Sequence, residues 1–124
     1  MKRQLGVARE EEMQAKLTYV IKFVKDMDVA VRFHHDTLGL PLKFQSPEWS
    51  EFSTGETTLA LHAASEANPA GSVELGYSVK NLKDVYSARQ SNGLSFTSEP
   101  KPLHGTLLGT ILDSEGARCS ISDA

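Results

Sequence analysis

A repeat at an interval of 54 to 60 residues constrains the fold of this chain more than any other feature. Three pairs of segments match: 24–27 (VKDM) with 79–82 (VKNL), 39–40 (GL) with 93–94 (GL), and 57–63 with 117–123, at offsets of 55, 54 and 60 residues. Self-similarity at a fixed interval is typical of a chain built from repeated supersecondary units. The sequence therefore predicts two βαβββ modules, at about residues 17–64 and 72–123, joined by a linker at 65–71.

Propensity and turn signals give the elements of the first module. Residues 17–25 (LTYVIKFVK) are rich in β-branched and aromatic side chains, which favours a strand. Either Asp26 or Asp28 can cap a following helix, which is expected to end at Gly39. Short strands are predicted at 41–46 and 48–53, then a turn at 54–56 and a strand at 57–62.

The second module has the same order of signals. A strand is predicted at 73–79, and Asn81 can cap a helix that stops at Asn92-Gly93. A short strand follows at 94–97, after which Pro100 and Pro102 are expected to break the chain. The last two strands are predicted at 106–112 and 117–122, with a turn at 114–116 between them.

Chain length indicates how these modules combine. The chain has 124 residues, and a domain of that size buries roughly two-thirds of its unfolded surface. A module of roughly 50 residues is too short to cover its own sheet. We therefore expect a single domain at residues 16–124, preceded by a flexible, charged lead-in at residues 1–15.

Charge and cysteine content exclude several classes of protein. Thirteen basic and sixteen acidic residues give a formal net charge of -3, which argues against a nucleic-acid-binding surface. No apolar stretch is long enough to cross a membrane, and residues 1–16 lack the apolar core of a secretory signal. One cysteine, Cys119, allows no internal disulfide. These features predict a cytoplasmic protein that binds neither membranes nor nucleic acid.

Two segments carry a resemblance to a known family. VKDMDVAVRFHHDTLGLPLKF and, later, LDSEGARCSIS resemble signature stretches of the glyoxalase / bleomycin-resistance / extradiol-dioxygenase superfamily, also called vicinal oxygen chelate proteins. The resemblance covers about residues 17–123. It implies an α+β fold in which paired βαβββ modules curl mixed sheets around a cavity, and it implies a homodimer.

The resemblance also implies four places for metal ligands. In this sequence they correspond to Tyr19, Ala60, Glu74 and Ser120. Only Glu74 is a strong ligand, whereas catalytic metal sites need about three protein ligands. No metal is therefore favoured, although a displaced site for a divalent metal made of His62, Glu74 and His104 stays open.

The expected alternative is a small-molecule site. The family register places Tyr19 inward, and strand alternation then adds Ile21 and Phe23. The sequence does not decide which face of the strand at 48–52 is inward, so this strand offers either Trp49 and Glu51 or Glu48, Ser50 and Phe52. The ligand-binding residues predicted are Tyr19, Ile21, Phe23, Trp49, Phe52, Ala60, His62, Glu74, His104 and Ser120.

Two functions follow from this set of residues. The first is binding of a small organic molecule in the cavity between the modules, without a metal, with Glu74 as the one candidate proton acceptor. The second is a metal-dependent glyoxalase-like lyase or isomerase, or a dioxygenase relative, that uses the displaced His/Glu site.

Overall fold

The computed structural model describes residues 13–124, and the contacts divide them into compact units. We call Leu17–Leu75 the first unit and Gly76–Ala124 the second unit. The predicted lead-in at residues 1–15 falls mostly on residues 1–12, which lie outside the described part of the chain. No helix within residues 13–124 is long and apolar enough to cross a membrane.

The first unit is a four-stranded sheet with a short helix on one face. Its elements are β1 (Lys16–Val24), α1 (Met27–Arg32), a π-helical turn (Phe33–Thr37), β2 (Leu42–Phe44), β3 (Trp49–Ser53) and β4 (Thr58–Ala63). The strand order is β2-β3-β4-β1. β1 runs parallel to β4, while the β2–β3 and β3–β4 pairs are antiparallel.

Two sequence signals for the first helix, its cap and its terminal glycine, can be compared with the structure. Asp26 caps the helix, because its Oδ1 accepts a hydrogen bond from Val29 N at 3.1 Å. The predicted C-terminal Gly39 has a φ of 77°, a backbone conformation that glycine adopts without strain. α1 covers one face of the sheet through a core cluster of Val31, Phe52 and Leu61.

The second unit has a similar arrangement. Its elements are β5 (Val73–Val79, which begins in the first unit), α2 (Leu82–Ser87), β6 (Ser95–Phe96), β7 (Lys101–Leu103), β8 (Thr106–Leu112) and β9 (Arg118–Asp123). The strand order is β5-β9-β8-β6, and β7 also pairs with β8. Asn81 caps α2, and Leu82 N donates a 2.8 Å hydrogen bond to the Asp123 carboxylate on β9.

The predicted α+β class is confirmed, since parallel and antiparallel pairing occur beside short helices. One element was missed: β7, which forms where Pro100 and Pro102 were expected to break the chain. The only pairing of β7 within the described residues is with β8. A proline can lie in a strand with a free edge, since its missing N–H is not needed there.

Candidate functional site

The first unit presents a second sheet face, opposite α1, which we call the site face. Cross-strand register arranges its side chains in three rows over β1, β4 and β3: Phe23–His62–Trp49, Ile21–Ala60–Glu51 and Tyr19–Thr58–Ser53. The floor of this face is apolar and buried, with Ile21 at 7%, Phe23 at 5% and Ala60 at 0% exposure. Half-buried aromatic side chains stand around the floor.

Four rings form a continuous chain across the site face. The centroid of Tyr19 lies 6.1 Å from that of Trp49, and Trp49 lies 5.8 Å from His62 with the ring planes at 89°. His62 in turn lies 5.4 Å from Phe23. These separations fall within the range of favourable aromatic pairs.

Ala60 explains how two of these rings meet. Tyr19 and Trp49 start from opposite corners of the site face, and Ala60 occupies its centre. The two rings nevertheless approach to 6.1 Å, and both pack on the cluster that contains Ala60. A larger side chain at position 60 would occupy the space into which the rings lean.

A polar network holds Trp49 in place. Trp49 Nε1 donates a 2.8 Å hydrogen bond to Glu51 Oε2 on the same strand face. The other oxygen, Glu51 Oε1, lies 3.6 Å from Lys43 Nζ, which also donates to Thr58 Oγ1 at 3.2 Å. The Glu51 side chain is only 21% exposed, so this pairing offsets part of the cost of desolvating a carboxylate.

Lys43 lies at an irregularity in β2. Leu42 pairs with Phe52 and Phe44 pairs with Glu51, so one extra residue, Lys43, lies between two successive partners on β3. In a bulge of this kind two residues of one strand, here Lys43 and Phe44, lie opposite one residue of the other strand, Glu51. This position next to Glu51 is consistent with the contacts of Lys43 with Glu51 and Thr58.

The phenol of Tyr19 is kept protonated by its surroundings. Burial raises the pKa of the Tyr19 hydroxyl above its ordinary value of 10.0, and the negative charge of Glu51 raises it further. Both effects disfavour the phenolate. Tyr19 is therefore a neutral hydroxyl that can donate a hydrogen bond.

Six of the predicted site residues lie together on the site face: Tyr19, Ile21, Phe23, Trp49, Ala60 and His62. Within residues 48–52, Trp49 and Glu51 share this face. Phe52, also among the predicted ligand-binding residues, does not. Phe52 alternates to the opposite face, where it is 0% exposed and packs with Val31 and Leu61 beneath α1.

The remaining predicted residues lie elsewhere in the chain. Glu74 is half-buried on β5, and Ser120 is half-buried on β9 opposite Gly76 and Thr110. His104 is exposed in the two-residue turn between β7 and β8, with a φ of 52°. Cys119 is buried and alternates to the same face as Asp123, which contacts the start of α2.

The four places at which the resemblance implies metal ligands do not suit a metal. Ala60 has no donor atom, and it lies beneath two aromatic rings. Tyr19 is held as a neutral phenol, a poor ligand compared with imidazole or carboxylate. Within residues 13–124, no group of three or more His, Cys, Asp or Glu side chains could hold a metal ion.

Three contributors to the site face are missing from the predicted ligand-binding residues: Glu51, Lys43 and Thr58. Glu51 has a signal, since it follows Trp49 by two residues and alternation places both on one face. Thr58 has the same kind of signal, since it precedes Ala60 by two residues on one strand. Lys43 has no signal of its own, because its position depends on how the three-residue strand β2 pairs with β3.

Comparisons with known proteins agree on the fold. The structure of methylmalonyl-CoA epimerase from Mycobacterium tuberculosis is similar, with a TM-score of 0.71, 18% identity and coverage of 86% of each chain. A glyoxalase/bleomycin resistance protein/dioxygenase superfamily member from Vibrio splendidus 12B01 has a TM-score of 0.66 and 14% identity, covering 90% of this chain and all of that one.

A third structure is the Mn(II)-bound glyoxalase from Novosphingobium aromaticivorans, with a TM-score of 0.61 and 19% identity. It is aligned over 89% of this chain and 40% of that chain. No curated protein matches the sequence.

One family model does match, over residues 16–121, and it covers the first copy of the repeat, all but the last two residues of the second copy, and every residue of the site face. A match of that extent leaves only the two ends of the chain outside it. The chain belongs to the Glyoxalase/Bleomycin resistance protein/Dioxygenase superfamily.

Proposed function

We propose that this protein binds a small organic molecule at the site face of the first unit, without a metal. The observation that carries the proposal is the chain of four rings, Tyr19–Trp49–His62–Phe23, in which three half-buried rings adjoin Phe23 of the buried apolar floor. Small-molecule sites are mostly lined by aromatic and apolar side chains, with a few fixed polar groups. Here the Glu51 carboxylate, the Tyr19 hydroxyl and the His62 imidazole are those groups.

The rigidity of the rings supports binding. Trp49 is held by its hydrogen bond to Glu51, and it contacts both Tyr19 and His62. The side chains are therefore already ordered before a ligand binds, so the binding free energy does not have to offset the conformational entropy lost in ordering them. Both oxygens of the Glu51 carboxylate already have partners, Trp49 and Lys43, so a positively charged ligand would be attracted by the faces of the aromatic rings.

The first experiment measures metal content and ligand binding on the same protein. Protein purified without chelator is analysed for divalent metals, and it is then screened by thermal shift against hydrophobic cationic drugs and thiol conjugates. We expect less than one metal ion in ten chains and at least one compound that raises the Tm. One divalent ion per chain would overturn the metal-free proposal.

Matched variants assign the binding to the site face. Trp49→Ala should abolish the thermal shift caused by the best compound, because it removes the ring that touches both Tyr19 and His62. Phe33→Ala removes an aromatic ring that is 48% exposed on the π-helical turn, and it should leave the shift unchanged. Equal shifts in the two variants would mean that the compound binds elsewhere.

Glu74 stays a proposed proton acceptor. It lies half-buried on β5, and a carboxylate is a side chain that can accept a proton from a bound molecule. The variant Glu74→Gln keeps the size of the side chain and removes the charge. If every measured affinity is unchanged in this variant, Glu74 has no place in the working site.

We also propose that the protein is a cytoplasmic homodimer. The resemblance to the superfamily supports the dimer, and the single cysteine, Cys119, supports a reducing compartment because it allows no internal disulfide.

A further inference from the structure

His62 carries a hydrogen bond that determines which of its ring nitrogens bears the proton. Its Nδ1 lies 2.8 Å from the carbonyl oxygen of Ala63. A carbonyl oxygen only accepts hydrogen bonds, so Nδ1 must be the donor. In a neutral imidazole the other nitrogen, Nε2, is then unprotonated and acts as an acceptor.

The direction of this acceptor is also fixed. The His62 ring is held between Phe23 at 5.4 Å and Trp49 at 5.8 Å, and Trp49 is itself tied to Glu51. Nε2 makes no hydrogen bond to any group in residues 13–124. The site face therefore contains a hydrogen-bond acceptor, with a set tautomer and a set orientation, among aromatic rings.

We propose that the ligand of the site face is a flat aromatic molecule with an N–H or O–H group that donates to His62 Nε2. This inference rests on the proposed function and adds the chemical class of the ligand. The rings supply contact area for an aromatic plane. The N–H groups of Trp49 and of His62 Nδ1 already have partners, so His62 contributes only an acceptor.

The proposal has a test that needs no ligand. Nitrogen chemical shifts of the histidine side chains, measured by NMR at pH 8 where imidazoles are ordinarily neutral, report the tautomer. We expect His62 to carry its proton on Nδ1. His104 is the control, because it is exposed and makes no side-chain hydrogen bond to residues 13–124, so water decides its tautomer. A His62 proton on Nε2 would overturn the proposal.

A pair of probes then tests the ligand class. Indole has an N–H donor, and 1-methylindole has the same ring without it. We expect indole to bind wild-type protein about 3- to 10-fold more tightly by chemical-shift titration, the value of one neutral hydrogen bond. The His62→Phe variant keeps a ring and removes the acceptor, so the preference should disappear while 1-methylindole still binds.

The outcomes separate this inference from the proposed function. His104→Asn, at an exposed position where asparagine tolerates the positive φ, should keep the preference for indole. Equal binding of both probes to wild-type protein overturns the donor requirement and leaves small-molecule binding intact. If neither probe binds, both the aromatic ligand class and this inference are overturned. A compound that raises the Tm in the thermal-shift screen would still support the proposed function.

Discussion

At the scale of single residues, the site face depends on side chains that hold one another in place. Glu51 accepts a hydrogen bond from Trp49 and pairs with Lys43, and Trp49 contacts both Tyr19 and His62. The charge of Glu51 therefore acts on two neighbours at once. It fixes the indole of Trp49, and it disfavours ionisation of Tyr19.

The ionisation of Tyr19 gives a prediction with a definite sign. Its pKa is raised in the folded protein, chiefly by burial. An unfolded phenol ionises near 10, so folding binds the proton more tightly. The associated stability is complete below pH 10 and is lost as the pH rises through the raised pKa. Wild-type protein should therefore lose more stability than Tyr19→Phe above pH 10, as measured by urea unfolding.

An alkaline absorbance titration separates the two causes of this shift. Subtracting the curve of Tyr19→Phe from that of wild-type protein leaves the ionisation of Tyr19 alone. Glu51→Gln should lower the pKa of Tyr19 only in part, because burial is the larger cause. A difference curve centred at or below pH 10 would contradict the assignment.

At the scale of elements, alternation predicted which residues of a strand share a face but not which face is inward. Tyr19, Ile21 and Phe23 were grouped correctly, as were Trp49 and Glu51. Phe52 was misplaced because an aromatic side chain suits either a helix-covered core or a binding face. Packing against Val31 decided between them, and one strand's sequence does not contain that information.

The sequence offered two aspartates, Asp26 and Asp28, as the N-terminal cap of α1. Asp26 accepts from Val29 N, whereas the Asp28 carboxylate accepts from Gln45 at 3.4 Å. Asp26→Ala should cost about 1 kcal/mol of unfolding free energy. Asp26→Asn should stay close to wild type, since asparagine caps equally well. Urea unfolding monitored by circular dichroism compares them, and equal losses in both variants would contradict a capping role.

At the scale of the whole molecule, the repeat predicted equivalent positions well. Val24 and Val79 each lie two positions before a helix cap, and they end β1 and β5. Each pairs in parallel with the last residue of its partner strand, Ala63 and Asp123 respectively. Lys43 could not be predicted in the same way. Its contact depends on how β2 pairs with β3, and the shortest strands have too few residues to fix their register from sequence.

Each half of the repeat supplies only a small core. If the two halves form a single domain, as the sequence predicts, they should unfold together. The chain has one tryptophan, Trp49, in the first unit, and its fluorescence reports the unfolding of that unit alone. Ile121→Val alters a side chain that is 1% exposed in the second unit and should cost about 0.5–1.5 kcal/mol. If the chain unfolds in one transition, Ile121→Val lowers the urea midpoints measured by Trp49 fluorescence and by circular dichroism equally. The control variant Lys80→Arg, at an exposed position, changes neither midpoint. A Trp49 midpoint that stays fixed while the circular dichroism midpoint falls would mean that the units unfold independently.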